Sequence, residues 1–236
     1  MQCRGLPSVH AIWKASMMIS PAYPVLHCSL AAHSVINQLW VLISYAVDGF
    51  AAAGIVLGSR LAARAHFPEQ ALHAKEHLQR LINRVLMAGL LAGICAGLIF
   101  LFQKDFIIAL FTTDPATIAV LKQGTWIVLV ASQPINGLVF VYDGLMYASQ
   151  SFTFIRNYMI LGFLLVFCPL LAFQAAVLHS LWAVWLANAA INMWRVGGAA
   201  YLIHWIFMRE FDQQLTAASS YTSFAGHENV DEQMRP

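Results

Sequence analysis

Five apolar stretches, each near the length that crosses a bilayer, leave this chain few folds to choose from. They occupy residues 31–58, 81–102, 124–148, 154–178 and 181–207, against the roughly 20 residues a membrane helix needs. In hydrocarbon every backbone N–H and C=O must be satisfied within the protein, so only helices or a closed barrel can span it. Barrel strands would alternate apolar and polar residues, and these stretches do not. The chain is 60% hydrophobic and 10% charged, where soluble domains carry about 25% charged residues. An all-α, polytopic bundle of five to six transmembrane helices is expected. Residues 1–30 are ambiguous: His10, Lys14 and His27 interrupt their apolarity, and Pro21 and Pro24 oppose a continuous helix. They read as a vestigial helix or an interfacial segment, without the layout of a secretory signal. Residues 31–208 form the bundle, and 209–236 a polar tail expected to be disordered.

The few charges set the topology. Arg60, Arg64, Lys75, Arg80 and Arg84 follow the first span, Arg156 follows the third and Arg209 the fifth. The opposite side holds Lys104 and Lys122 with Asp105 and Asp114. The positive-inside rule then places the 60–84 connection and the C-terminus on the cytoplasm-like side. With 13 basic and 11 acidic residues, overall charge points to no polyanionic partner, and no nucleic acid is expected.

Three charges fall well inside the apolar runs, away from their ends: Asp48, Asp143 and Arg195. An ionised side chain in the bilayer interior costs several kcal/mol unless it faces protein or water, so it marks a functional site by default. Asp48 precedes Arg60 by 12 residues, Asp143 precedes Arg156 by 13 and Arg195 precedes Arg209 by 14. At helical rise each lies roughly 18–21 Å from its inner anchor, so the three share one depth. Two carboxylates and a guanidinium at one level point to a polar cavity, or to an Asp–Arg pair that only holds helices together. Asn136, seven residues before Asp143, falls on the same helix face. Pro134 removes one rung of the third span's hydrogen-bond ladder and permits a kink. Tyr45, Tyr142 and Trp194 neighbour the charges and offer rings on which a flat or cationic solute could stack.

Other features read as architecture. Gly89, Gly93 and Gly97 recur every four residues, as do Gly54 and Gly58, the small-residue spacing that lets membrane helices approach closely. His73 and His77 stand one turn apart and His66 precedes them, but no third ligand of fitting spacing follows, so a solvated interfacial helix is expected and no metal. Cys3, Cys28, Cys95 and Cys168 show no paired spacing. An aspartyl intramembrane protease would also need two intramembrane aspartates. Tyr142-Asp143 matches half of that signature, but a later Gly-x-Gly-Asp is absent, and Asp48 comes first in the chain. No enzyme is expected.

Phe111-Thr-Thr-Asp114, followed by Ser132-Gln-Pro-Ile-Asn136-Gly-Leu-Val-Phe140-Val-Tyr-Asp143-Gly144, resembles the C-terminal lobe of the multidrug and toxic compound extrusion (MATE) family, in its DinF-like branch. Asp48-Gly49-Phe-Ala-Ala-Ala-Gly54, Ile155-Arg156-Asn157 and Met193-Trp-Arg195 resemble that branch at equivalent places. The likeness covers about residues 31–208.

That resemblance implies one six-helix lobe of a twelve-helix exchanger, the five spans standing for its eighth to twelfth helices. The family exchanges protons or sodium for organic cations and amphiphiles, so the coupling ion is H+ or Na+ and no further cofactor is expected. Asp143 and Asp48 are the implied ion-coupling residues, with Arg195 tuning their charge and Asn136 lending a polar contact. An N-terminal lobe has no counterpart in this sequence, and alternating access moves one repeat against another. Besides membrane lipid and a small organic substrate, the expected partner is an N-lobe or a second copy of the chain; the alternative is a non-transporting paralogue. The Ser-Gln-Pro-Ile-Asn string resembles plant and algal forms, which implies a plastid envelope or a plasma membrane.

Overall fold

The computed structural model describes residues 23–64, 68–178, 180–209, 212, 213 and 216. Most of the ambiguous N-terminal segment with Cys3, the loop residue His66 and most of the polar tail lie outside the described residues. The elements, in chain order, are α1 (Tyr23–Arg64), α2 (Pro68–Phe102), the short α3 (Lys104–Phe111) and α4 (Pro115–Val120), α5 (Trp126–Ala148), α6 (Phe152–Leu178) and α7 (Leu181–Tyr201). A wide-turned continuation, Leu202–Phe207, extends α7. The protein is an all-α membrane bundle, helical throughout the described elements.

Helix ends follow the apolar runs closely where the chain meets a break. α2 stops at Phe102 and α5 at Ala148, where the apolar runs stop. Gly124, at φ +100°, turns the chain sharply into α5. Only glycine adopts that conformation without strain. At the other end of the comparison, α1 is longer than its apolar run. Its 42 residues reach well beyond a hydrocarbon core of about 30 Å. Pro24 falls in its first turn, where proline loses no ladder hydrogen bond; the expectation that Pro24 interrupts a helix is corrected accordingly. α2 likewise begins thirteen residues before its apolar run, at Pro68 rather than 81, so His73 and His77 lie on a helix.

Among the described residues, four helices are long and apolar enough to cross a membrane: Cys28–Leu61, Lys75–Phe102, Pro115–Ala148 and Phe152–Leu178. α7 has the length, but Asn188, Asn192, Arg195 and His204 dilute its apolarity. Asn192 is buried and Asn188 and Arg195 half-buried against its neighbours, while His204 is exposed; a helix inside a bundle can afford such groups and a lipid-facing one cannot.

α5 is the hub, packed against α1, α2 and α7, while α6 leans on α7 at the periphery. Residue pairings fix the directions. Gly54 and Gly58 of α1 face Leu145 and Ala148 of α5, so these two run parallel. Gly89, Gly93 and Gly97 of α2 face Gly137, Gln133 and Val130 in reverse order, so α2 runs antiparallel. Lipid supplies no hydrophobic drive between helices; close backbone approach does the packing instead. A Cβ on Gly93 would lie 2.9 Å from Pro134 Cα, and one on Gly58 3.0 Å from Ala148 Cβ. The glycine spacing is therefore packing, as read.

Two apolar cores result. One gathers Ile36, Leu39, Phe100, Leu121, Trp126, Leu129 and Trp185. The other gathers Leu78, Ile82, Val141, Leu145, Leu202 and Ile203 toward the opposite end. Trp126 Nε1 donates to Phe100 O at 2.8 Å, tying the start of α5 to the end of α2. Outside the spans, Asp114 caps α4: its Oδ2 accepts from Thr117 N at 2.9 Å and Thr117 Oγ1 at 2.6 Å. Those bonds hold its carboxyl below the usual carboxylate range. Lys122 does the same for Asp105.

Candidate functional site

Asp143 and Arg195 meet. Asp143 sits on α5 and Arg195 on α7, and Nη2 of the guanidinium donates to Asp143 Oδ2. Their side chains are 23% and 20% exposed. Arg195 Nη1 donates to Asn192 Oδ1 at 3.0 Å, one turn back on α7, and Arg195 Nε is buried without an acceptor. Such an arrangement is exclusive. A proton or a competing cation on Asp143 would remove the guanidinium's carboxylate partner and loosen α5 from α7. Asn192, buried on α7, was not singled out from the sequence; its place three residues before an intramembrane arginine is the signal that would have found it.

Asn136 stands apart from this pair. It is fully buried, and its Nδ2 donates to Ser44 Oγ of α1 at 3.4 Å. Ser44 in turn donates to Trp40 O at 2.8 Å. Asn136 Oδ1 is buried with no donor, an oxygen that could meet a cation. The nominal shared face of Asn136 and Asp143 is thus divided between two neighbours, α1 and α7.

Asp48 shares the depth of the pair but not its face. Ser44 pairs with Asn136, and Ala51 packs against Gly144, which brackets Asp48 at the level of the buried polar groups. Yet Val47 and Ala51 are the buried residues there, and Asp48 is exposed. Tyr45, one turn away, is 76% exposed. With Ser34 and Gln38 they form a polar stripe along α1, all four exposed, at spacings of four, seven and three residues.

The other two rings are engaged within the bundle. Tyr142 O–H lies 3.3 Å from His204 Nε2, the rings edge to face. Trp194 stacks on Tyr158 of α6 at 4.7 Å between centroids. Trp194 Nε1 donates to Tyr158 O at 3.1 Å, and Tyr158 O–H donates to Trp194 O at 3.0 Å. This reciprocal latch fastens α6 to α7, with Gly162 and Gly198 making room for the rings. Pro134 lies inside α5 with its face on Gly93. The carbonyl it deprives of a ladder partner, that of Val130, lies 3.1 Å from where a Cβ on Gly97 would stand.

A cavity of about 180 Å³ opens between α1, α6 and α7, lined by His33, Asn37, Trp40, Phe167, Val184, Trp185 and Asn188. The indole N–H groups of Trp40 and Trp185 are both buried without an acceptor. Aromatic walls with a few amides and unspent donors suit an organic solute carrying an oxygen acceptor. Sequence reasoning missed this cavity. His33 with Asn37, and Asn188 with Asn192, each recur one turn apart in apolar helices, and that recurrence was the available signal.

No family model matches the chain, and no solved structure does. Curated relatives do. The chain is 26% identical over 196 residues to Protein DETOXIFICATION 45, chloroplastic, of Arabidopsis thaliana, covering 79% of this chain and 32% of the relative. It is 28% identical over 173 residues to DETOXIFICATION 44, chloroplastic, of the same plant, covering 71% and 32%. With DETOXIFICATION 42 the identity is 27% over 186 residues, covering 77% and 34%. The chain thus spans about a third of the length of the curated relatives it matches. The resemblance to the multidrug and toxic compound extrusion family, carried by the motifs around Asp48, Asp143 and Arg195, is borne out over more than two thirds of the chain.

Proposed function

We propose that this chain is one lobe of a proton- or sodium-coupled exporter of organic cations or amphiphilic solutes. The observation that carries the reading is the Asp143–Arg195 pair, which joins the hub helix to α7 and is held by the buried Asn192. Charged pairs inside a membrane bundle are costly and are found on ion and proton pathways. A coupling ion at Asp143 competes with Arg195, so loading and unloading the carboxylate changes how α5 and α7 hold each other. Asn136 Oδ1, buried beside Ser44, extends the polar path toward α1, while Asp48 stands on the outer face of that helix. The aromatic cavity beside Trp40 and Trp185 is the proposed solute site, and transport involves no covalent step.

The polar stripe of α1 supports a partner. Tyr45 and Asp48 face outward from a membrane helix, and a carboxylate there calls for protein or water rather than lipid. A second lobe, from another polypeptide or a second copy of this chain, is the occupant proposed for that face. Two of the relatives carry the word chloroplastic in their names, which favours a plastid envelope; a fluorescent fusion resolves it from the plasma membrane.

The test is efflux of a fluorescent organic cation from cells expressing the chain, alone and with the remaining two thirds of a relative. Efflux that falls to background in Asp143→Asn, at unchanged membrane insertion, is the expected result. Wild-type efflux in that variant removes Asp143 from coupling, and no efflux in either setting rejects the transport reading.

A further inference from the structure

Where α1 ends and α2 begins, the bundle carries a second and larger cavity, of about 480 Å³, with a different chemistry. Its lining is Leu57, Arg60 and Leu61 of α1 with His77, Arg80, Leu81 and Arg84 of α2. The α2 residues stand at spacings of three, one and three, which puts them on one helical face. Three guanidiniums and an imidazole therefore converge on one hollow. Among the described residues, Glu76 lies beside them and accepts from Arg80 Nη2 at 3.0 Å. Arg60 and Arg84 have no carboxylate within ion-pair distance among the described residues. Like charges gathered this way repel unless an anion lies among them.

We propose that this hollow binds a phosphate group, held by Arg60 and Arg84. Arginine's planar fork of donors matches phosphate oxygens two at a time. Three leucines line the same hollow, and Leu57 is 42% exposed. An apolar wall beside a cationic one fits an anionic phospholipid, its phosphate on the arginines and its glycerol and acyl carbons along Leu57, Leu61 and Leu81. Basic pockets between membrane helices are known to seat such headgroups. Free inorganic phosphate shares the charged chemistry but makes no use of the leucines, so the lipid is the favoured source.

The experiment uses the whole chain, purified in detergent and examined by native mass spectrometry with added phosphatidylglycerol or phosphatidylcholine. The unmutated chain is expected to retain phosphatidylglycerol in preference to phosphatidylcholine. Arg60→Gln/Arg84→Gln should weaken that retention on the order of thirtyfold, since each basic residue near a lipid surface is worth about a factor of five. Arg60→Lys/Arg84→Lys should keep most of it. Lys104→Gln/Lys122→Gln, an equal loss of charge at the other end of the bundle, should change nothing. In a parallel arm, inorganic phosphate is titrated against thermal unfolding. If it stabilises the unmutated chain but not the glutamine variant, while the two lipids bind alike, the hollow takes soluble phosphate. The proposal is overturned if the two lipids bind the unmutated chain alike and phosphate has no effect. Undiminished phosphatidylglycerol retention by a helical glutamine variant overturns it equally. Should the glutamine variant fail to fold, the comparison of lipids on the unmutated chain decides alone.

Discussion

Helices α2 and α7 both pack against α5, with opposite chemistry. The α2–α5 contact is built from glycine: Gly89, Gly93 and Gly97 on one side, Gly137 and the backbone of Gln133 and Val130 on the other. The α5–α7 contact is built from charge and polar groups: Asp143 with Arg195, and Tyr142 with His204. A backbone contact has one arrangement, because nothing in it can be protonated, exchanged or swung away. A carboxylate–guanidinium contact has at least two, paired and unpaired, and an ion can choose between them. On this reading α2 and α5 move as one body, and the α5–α7 contact is the place where ion occupancy alters packing.

The largest expected effect breaks the first contact. Gly93→Val places a branched side chain where even one carbon would press on Pro134 Cα and the Gln133 backbone. Neither can yield without moving α5, so a loss of about 3 kcal/mol is expected, the upper end of the overpacking range. Thermal unfolding in detergent reads it out. Gly49→Ala is the control, since nothing lies within 4 Å of a Cβ there. Equal melting temperatures for the two variants would show that the glycine contact is not tight. Next comes the second contact. Arg195→Gln strands Asp143, and in a partly exposed setting about 2 kcal/mol is expected, below the cost for a fully buried pair. Adding Asp143→Asn should recover most of it. A double variant no more stable than the single would mean that the pair does not hold α5 to α7.

These two contacts differ in how far the sequence disclosed them. The glycine spacing is a direct statement of geometry, because residues four apart in a helix lie on one face whatever surrounds them. The spans followed from apolar length alone. The meeting of Asp143 with Arg195 was legible as a shared depth, counted back from the inner arginines. The face of Asp48 was not: Ser34, Gln38, Tyr45 and Asp48 recur at helical spacing, but His33, Asn37 and Ser44 put polar groups on other sides of α1, so polarity alone does not say which side is covered. Nor could the sequence tell that Trp194 would spend its N–H on Tyr158 O, since that bond depends on where α6 comes to lie. That His73 and His77 lie on a solvated helix was legible from their spacing, but not that this helix runs unbroken from Pro68 into the second span, since its charges suit a separate interfacial helix as well.

A smaller effect sharpens the comparison at a third contact, between α6 and α7. Tyr158→Phe removes the O–H that donates to Trp194 O but leaves the stacked rings in place. About 1 kcal/mol is expected, the net worth of one hydrogen bond. Trp194→Ala removes the ring and its bond together and should cost more. If Tyr158→Phe and Trp194→Ala destabilise equally, stacking contributes nothing, and the latch is hydrogen bonding alone.

The smallest effect lies outside the membrane, at the Asp114 cap. The Thr117 hydroxyl and amide hold its carboxyl below the ordinary carboxylate value of 3.8. A group whose folded value is depressed contributes stability that is present above its unfolded value and lost as pH falls through the folded one. The cap's contribution is therefore complete at neutral pH and fades below pH 3.8. Asp114→Asn keeps an oxygen that Thr117 N can reach but no longer titrates, and asparagine caps helices about as well as aspartate. The variant should melt within a degree or so of the unmutated chain at neutral pH, a gap too small to disturb α5. In acid the two should converge further, since protonation takes from Asp114 what the substitution already removed. A gap that widens as pH falls would mean that Asp114 acts on something other than α4, and the charge-free contacts of the bundle would no longer account for its stability at that end.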